Sequence, residues 1–309
     1  MLLSLPLELV LLVLENLDLP SLADFLSISP SLTASITAIA PSLVTKQPTL
    51  LHLAASRNHP ALLSHLLTLL PATTLDSRKH TPLYRAAESG ALATLQLLLS
   101  RGTVEPVRRF ASETPLTVAA RRGHLSAVSL LLPTSAASIG KALIAASGAG
   151  QTSVASLLLS PTPPHSVLSS ALCAAAAAGS HEILSLLQSA GAKPGTADAD
   201  GSTPLHHAAR AGRTEIVALL LWGQNVKLDA QDAHGWTPLH WATFAGFEDV
   251  KEMLVVAGAD VEVVNDDGVP AGGWPVEQQV EVVEGNVGTE AVVTEGRAVE
   301  QAWVVAVSA

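Results

Sequence analysis

Seven hexamers of one type run through this chain: TLLHLA from Thr49, TPLYRA from Thr81, TPLTVA from Thr114, KALIAA from Lys141, SALCAA from Ser170, TPLHHA from Thr203 and TPLHWA from Thr237. Their starts are separated by 32, 33, 27, 29, 33 and 34 residues. A period of about 33 residues constrains the fold more than any other feature, because a unit of that length buries its apolar face only against a copy of itself. Composition agrees: the apolar residues are Leu, Ala and Val with few aromatics, which suits short, closely packed helices better than strands. The expected fold is therefore all-α, a stacked solenoid of about seven helix-turn-helix repeats.

Positions within the repeat carry separate physical meanings. Leu stands two residues after the first hexamer position in every copy (Leu51, Leu83, Leu116, Leu143, Leu172, Leu205, Leu239), and Ala five after (Ala54, Ala86, Ala119, Ala146, Ala175, Ala208, Ala242). Spaced three apart on a helix they share a face, where the small Ala lets a neighbouring helix approach. Nine residues on there is Gly, except Asn58 in the first copy, and seventeen on there is again Leu. Thr-Pro reads as an N-cap followed by the first helical residue, and the Gly or Asn as a left-handed stop two turns later. A second, Leu-rich helix such as IVALLL (216 to 221) and a polar loop complete the unit.

On these residues the chain resembles an ankyrin-repeat protein from about residue 49 to 267, and repeats six and seven also carry Asp198 with Gly201 and Asp232 with Gly235 before the cap. Repeats four and five lack Thr-Pro and are five or six residues short, so an irregularity or hinge is expected at about 133 to 170, where PTPPHS interrupts the pattern. The resemblance implies a protein partner bound on the concave face of the solenoid.

The first residues add a second resemblance. Residues 5 to 22 read LPLELVLLVLENLDLPSL, in which Pro6 starts a helix, Glu8 suits its first turn and the apolar residues follow the helical period. The stretch resembles the opening of an F-box: Leu5, Pro6, Glu8, Leu9, Val10, Val13, Leu14 and Leu17 fall on that pattern, whereas the following residues lack the Cys, Arg and Trp common in the family. An F-box implies docking to the Skp-type adaptor of cullin ubiquitin ligases through Leu5, Pro6, Leu9, Val10, Val13, Leu14 and Leu17. The whole arrangement is similar to that of fungal F-box/ankyrin proteins. The alternative is a helical cap that closes the open end of the solenoid. The expected division is an F-box-like segment over 1–45, ankyrin repeats over 46–267 and an acidic Val/Glu-rich tail over 268–309.

Charge, cysteine content and motifs narrow the function. From Glu262 onward nine acidic residues face the single Arg297, so most of the net charge of -10 sits at the C-terminal end. No Lys/Arg stripe accompanies aromatics, which argues against nucleic acid as a partner. The single cysteine, Cys173, forms no internal disulfide, and Glu8, Glu15 and Asp18 interrupt the Leu-rich start, so neither export nor a membrane span is expected. The cytoplasm or nucleus is the expected compartment. His52, His206 and His240 share the fourth hexamer position and read as structural; His206 and His207 point about 100° apart on one helix and do not share an ion. Cys173 reads as packing. No catalytic or phosphate-binding motif occurs, so a monomeric, non-enzymatic protein without cofactor, metal or small-molecule substrate is expected.

HGWTPLHWATFAGF (234 to 247) gathers four of the ten aromatic residues of the chain. In the ankyrin frame the residue before Thr, the fifth hexamer residue and the two before the Gly face the partner. The resemblance thus implies that Trp236, Trp241 and Phe244, with His207, Arg210, Arg121, Arg122 and Arg85 at equivalent places, hold the bound protein. Phe247, just after the Gly, is expected between repeats.

Overall fold

A computed structural model describes residues 48–102, 113–134, 138–160, 163–222 and 226–273. Fourteen α-helices occur among them, in seven pairs. The first helices of the pairs are α1 (Pro48–Ser56), α3 (Pro82–Ser89), α5 (Pro115–Arg122), α7 (Ile139–Gly148), α9 (His165–Ala178), α11 (Pro204–Arg210) and α13 (Pro238–Phe244). The second helices are α2 (Pro60–Leu69), α4 (Leu92–Ser100), α6 (Leu125–Leu131), α8 (Thr152–Leu158), α10 (His181–Ser189), α12 (Thr214–Trp222) and α14 (Glu248–Val256). Each first helix packs on the next first helix and on its own second helix, so the chain builds two parallel helical layers. The expected all-α solenoid is what the described residues form.

The first helices that carry Thr-Pro, α3, α5, α11 and α13, start for the reasons their sequence suggests. The Thr81 hydroxyl accepts the Tyr84 N–H at 3.1 Å. In the next repeat Thr114 and Thr117 exchange bonds, the Thr117 N–H to Thr114 Oγ1 (3.3 Å) and the Thr114 N–H to Thr117 Oγ1 (2.7 Å), a reciprocal cap. Asn58, at the glycine register of the first copy, adopts the same left-handed backbone as the glycines, with φ of 59°. The Leu residues at the third and eighteenth repeat positions and the Ala at the sixth are at most 3 % exposed in all seven copies, and together they make one continuous core.

Of the irregularity or hinge expected at about 133 to 170, the described residues show the irregularity, with the first helices still packed through it. Helices α7 and α9 pack tightly on each other and on α5 and α11, so the first layer runs through the stretch without a break. The missing residues are taken from the loops: α6 runs straight into a 3-10 turn (Leu132–Thr134), and α9 is lengthened at its N-terminal end to 14 residues. Packing of Leu143, Ala146, Leu172 and Ala175 is retained because the shortening falls outside the helical register.

The glycines after the first helices of repeats two to six have a second role in stacking. A Cβ at Gly90 lies 2.7 Å from His124 Nδ1, and one at Gly212 lies 2.6 Å from the Phe247 ring. In both cases the residue following the glycine of one repeat covers the glycine of the repeat before, and the His124 ring also bonds the Glu88 carbonyl (3.0 Å). Phe247 thus lies between repeats as expected, although 38 % of it stays exposed. Gly102 shares the φ of +69° found at Gly90 but has no atom within 4 Å of a built Cβ. Gly102→Ala is expected to cost about 1 kcal/mol of unfolding free energy, the backbone term alone, and Gly90→Ala about 2–4 kcal/mol. Urea unfolding of both variants measures the difference, and equal losses would show that the His124 contact is irrelevant.

Candidate protein-binding face

The loops that precede α3, α11 and α13, and the loop that follows α14, are each built on one acidic or amide side chain. Asp76 Oδ1 accepts the N–H groups of Arg78 and His80 (2.8 Å each), and Asp198 Oδ1 those of Asp200 and Ser202 (3.0 Å each). Asp232 accepts from His234 (2.9 Å) and Trp236 (3.0 Å), and Asn265 from Asp267 (3.0 Å) and Val269 (2.9 Å). Such a turn needs no strand partner, because one carboxylate satisfies the two amides that the reversal leaves unpaired. Residues 268–273, which the sequence assigns to the tail, close the last of these loops. The Val269 carbonyl accepts from His240 Nε2, and Ala271 is fully buried.

Three residues expected on the binding face hang from the second oxygen of these carboxylates, each nine positions further along. Arg85 Nε donates to Asp76 Oδ2 (2.7 Å), His207 Nε2 lies 2.8 Å from Asp198 Oδ2, and Trp241 Nε1 donates to Asp232 Oδ2 (3.0 Å). The same tether holds a guanidinium, an imidazole and an indole, so the loop presents the fifth hexamer residue in one orientation whatever its type. The spacing is legible in the sequence, but its meaning requires the turn that folds Oδ2 back onto the helix.

His206 and His240 join that loop to the next. In each, Nδ1 accepts the N–H of the capping Thr (Thr203 or Thr237, 3.0 Å), while Nε2 donates to a carbonyl of the following repeat, Trp236 (3.0 Å) or Val269 (2.9 Å). His52 reaches the Thr74 and His80 carbonyls in the same way, at 3.1 and 3.0 Å. Only the neutral imidazole with its proton on Nε2 fits the first arrangement, and burial holds His206 and His240 below the ordinary 6.5.

The face divides into a charged end and an aromatic end. At the charged end Glu88 receives Arg85 Nη1 (2.9 Å) and Arg122 Nη2 (3.3 Å), while Glu113 accepts from Arg121 Nη2 and from the Tyr84 hydroxyl (2.8 Å each). Burial opposes ionisation of Asp76, but the His80 N–H and the Arg85 guanidinium hold its carboxyl below the usual range. Arg85, Arg121 and Arg122 are thus committed to carboxylates of their own chain, and Arg85 and Arg122 line an open groove of about 700 Å³ with His52, Asp76 and His124. The middle repeats place Gly140, Ala145, Gly148, Ser169, Ala174 and Ala177 at the equivalent positions, a bare floor between the two ends.

At the aromatic end the three expected rings touch. Trp236 lies 4.6 Å from Trp241 and 5.3 Å, edge to face, from Phe244, measured between ring centroids. Arg210 Cζ stands 5.0 Å from the centre of the Trp241 ring, a cation-π contact with the guanidinium exposed. Phe244 is 48 % exposed, whereas Trp236 and Trp241 are half-buried and bonded to Asp232. The two tryptophans therefore support the seventh repeat as well as facing outward.

A further aromatic, Trp222, was not marked by the repeat pattern and is 89 % exposed at the end of α12. Its signal lies in the register: nineteen residues after the hexamer start the other copies hold Thr68, Ser100, Pro133, Ser160, Ser189 and Val256, so only the last two repeats are apolar there. Cys173 is buried with its thiol 3.6 Å from the Ser202 carbonyl, and burial pushes its ionisation well above the ordinary range. Leu5, Pro6, Leu9, Val10, Val13, Leu14 and Leu17 lie outside the described residues, as does the tail from 274 onward. No helix among the described residues is long and apolar enough to cross a membrane.

The buried imidazoles imply a defined pH response. Their native ionisation lies below the unfolded value, so the unfolded chain takes up protons first as pH falls. Stability is complete above about pH 6.5 and is lost as pH drops through and below that value. The Asp76 carboxyl acts in a lower window, its contribution being lost only below its ordinary 3.8. Thermal unfolding between pH 7.5 and pH 5 is expected to show a falling midpoint, with a shallower slope in the His206→Gln and His240→Gln variants; an unchanged slope would place the response elsewhere.

Comparison with known families agrees with this geometry. A family model described as ankyrin repeats (three copies) matches residues 32–109 and 172–265, and one for a single ankyrin repeat matches residues 112–141.

Proposed function

Since this chain belongs to the ankyrin-repeat family, whose repeats are protein–protein interaction modules, we propose that it brings two proteins together. The target protein docks on the side formed by the loops and first helices. Its anchors are Trp236, Trp241, Phe244 and Arg210, with His207 beside them; Arg85, Arg121 and Arg122 form the charged end. The observation that carries this reading is the exposed Phe244 edge and the Arg210 guanidinium stacked on the Trp241 ring, all in one patch. Aromatic and Arg side chains supply most interface hot spots, because they bury large areas with little rotamer entropy lost.

The other partner in this reading is a Skp-type adaptor held by Leu5, Pro6, Leu9, Val10, Val13, Leu14 and Leu17, which makes the chain a substrate-recognition subunit of a cullin-type ubiquitin ligase. The support is the F-box-like spacing at residues 5 to 22. A second reading, a scaffold whose first helices only cap the solenoid, draws on the ankyrin match beginning at residue 32, inside the segment 1–45.

Co-precipitation of the full chain with a Skp-type adaptor separates the two. Capture that is lost in Leu9→Asp and Leu14→Asp, with unfolding unchanged, supports the ligase reading; no capture by the intact chain removes it. For the target face, proximity labelling by the full chain is compared with Phe244→Ala and Arg210→Ala. Both side chains are exposed, so stability is expected to change by less than about 0.5 kcal/mol while labelling of the dominant neighbour falls at least several-fold. Unaltered labelling would place the target on another surface.

A further inference from the structure

Among the described residues, one seam between repeats carries a chemistry that the others lack. The loop carboxylate stands at each well-formed seam between the fourth hexamer residue of one repeat and the fifth of the next. At the first seam the three are His52, Asp76 and Arg85, and at the last His206, Asp232 and Trp241. Arg85 and Trp241 offer no lone pair to a cation. Between the fifth and sixth repeats the trio is Cys173, Asp198 and His207, and each member is a metal-ligating type. One ligand atom of each lies within 4.8 Å of the other two.

The sequence hides this group because its members stand 25 and nine residues apart on α9, a loop and α11. It also replaces the usual residue: where His206 and His240 fill the seam with an imidazole, Cys173 supplies a short side chain whose Sγ reaches toward the Ser202 carbonyl at 3.6 Å. Asp198 is oriented by two backbone amides on Oδ1, which leaves Oδ2 directed at His207 Nε2, 2.8 Å away. Cys173 is buried, whereas the side chains of Asp198 and His207 are 13 % and 28 % exposed, so the trio opens to solvent on one side.

We propose that Cys173, Asp198 and His207 bind one divalent ion of the zinc class, with a fourth position open toward the protein-binding face. Donor type selects the ion: a thiolate, an imidazole and a carboxylate suit Zn²⁺ or Co²⁺ better than Ca²⁺ or Mg²⁺, which take oxygen sets. Metal–ligand lengths of about 2.0–2.3 Å place tetrahedral donors about 3.5 Å apart, so the trio closes around an ion by shifts of an ångström or so. On binding, the Cys173 thiol releases its proton to solvent and becomes the thiolate ligand. The His207 imidazole binds in its neutral form with the proton on Nδ1, which leaves the Nε2 lone pair for the ion. Water or a donor from the docked protein completes the tetrahedron. His207 also belongs to the proposed target face, but the ion is held by Cys173, Asp198 and His207 of this chain, so the site is tested without a protein partner.

Titration of the reduced full chain, free of any polyhistidine tag, with Co²⁺ tests the site. The expected result is one equivalent bound, with a thiolate-to-cobalt charge-transfer band and the intense visible bands of tetrahedral cobalt, both removed by Zn²⁺. Cys173→Ala, a small change in an Ala-rich helix, is expected to abolish the charge-transfer band while keeping the far-ultraviolet dichroism of the intact chain. Asp198→Asn and His207→Gln are expected to weaken binding at least tenfold. Absence of the band in the intact chain, or its persistence in Cys173→Ala, overturns the proposal. Should Cys173→Ala fail to fold, reversible alkylation-protection of the Cys173 thiol by Zn²⁺ in the intact chain decides instead: no protection overturns it.

Discussion

In the sixth and seventh repeats a single imidazole ring, His206 or His240, neutral and buried, joins the first helix to the loop that follows. Through Nδ1 it completes the cap of its own helix, and through Nε2 it grips the carbonyl just before the next cap. This fixes where the following loop sits. The loop position in turn sets the carboxylate that turns it, and the carboxylate sets the orientation of the residue displayed at the fifth hexamer position. Protonating the ring removes the Nδ1 acceptor, so the cap bond within its own helix exists only while the side chain is uncharged, whereas the Nε2 donor to the following loop remains.

The displayed positions separate scaffold from recognition. Leu and Ala of the core repeat almost without variation, whereas the fifth hexamer residue runs from Arg85 through Ala145 and Ala174 to His207 and Trp241. One tether holds three different side chains, so the surface chemistry changes while the backbone does not. The charged end neutralises itself, since Arg85, Arg121 and Arg122 are bonded to Asp76, Glu88 and Glu113. Desolvating those pairs offsets much of what a partner gains by contacting them. Arg210 instead lies over an aromatic ring, with Trp236 and Phe244 alongside, and a partner that covers this end removes apolar area from water at the same time.

Much of the fold was open to a reader of the sequence. The hexamers, the Leu and Ala register and the left-handed Gly or Asn place the starts of α3, α5, α11 and α13 and the ends of the first helices, because each signal is local: a cap hydroxyl, a ring-locked φ, a residue at ease with positive φ. Where the reading failed, the reason was equally physical. Loss of Thr-Pro in repeats four and five suggested a hinge, but helix packing depends on Leu143, Ala146, Leu172 and Ala175, which remained. Loss of period after 267 suggested a tail, but the His240 ring needed an acceptor and found it at Val269.

What the sequence determined by itself is the repeat, the layer each residue faces and the residues that vary across the binding side, because these follow from spacing along one chain. Which of those residues meet was decided only in three dimensions. That Arg85 is spent on Asp76, that Trp236 and Trp241 brace the last repeat as well as face outward, that Trp222 stands exposed and that Cys173, Asp198 and His207 converge all depend on stacking one repeat upon another. The turn that precedes a first helix folds Asp76 onto Arg85, and stacking brings Cys173 to His207 from the repeat before, contacts about which the spacing of apolar residues carries no information.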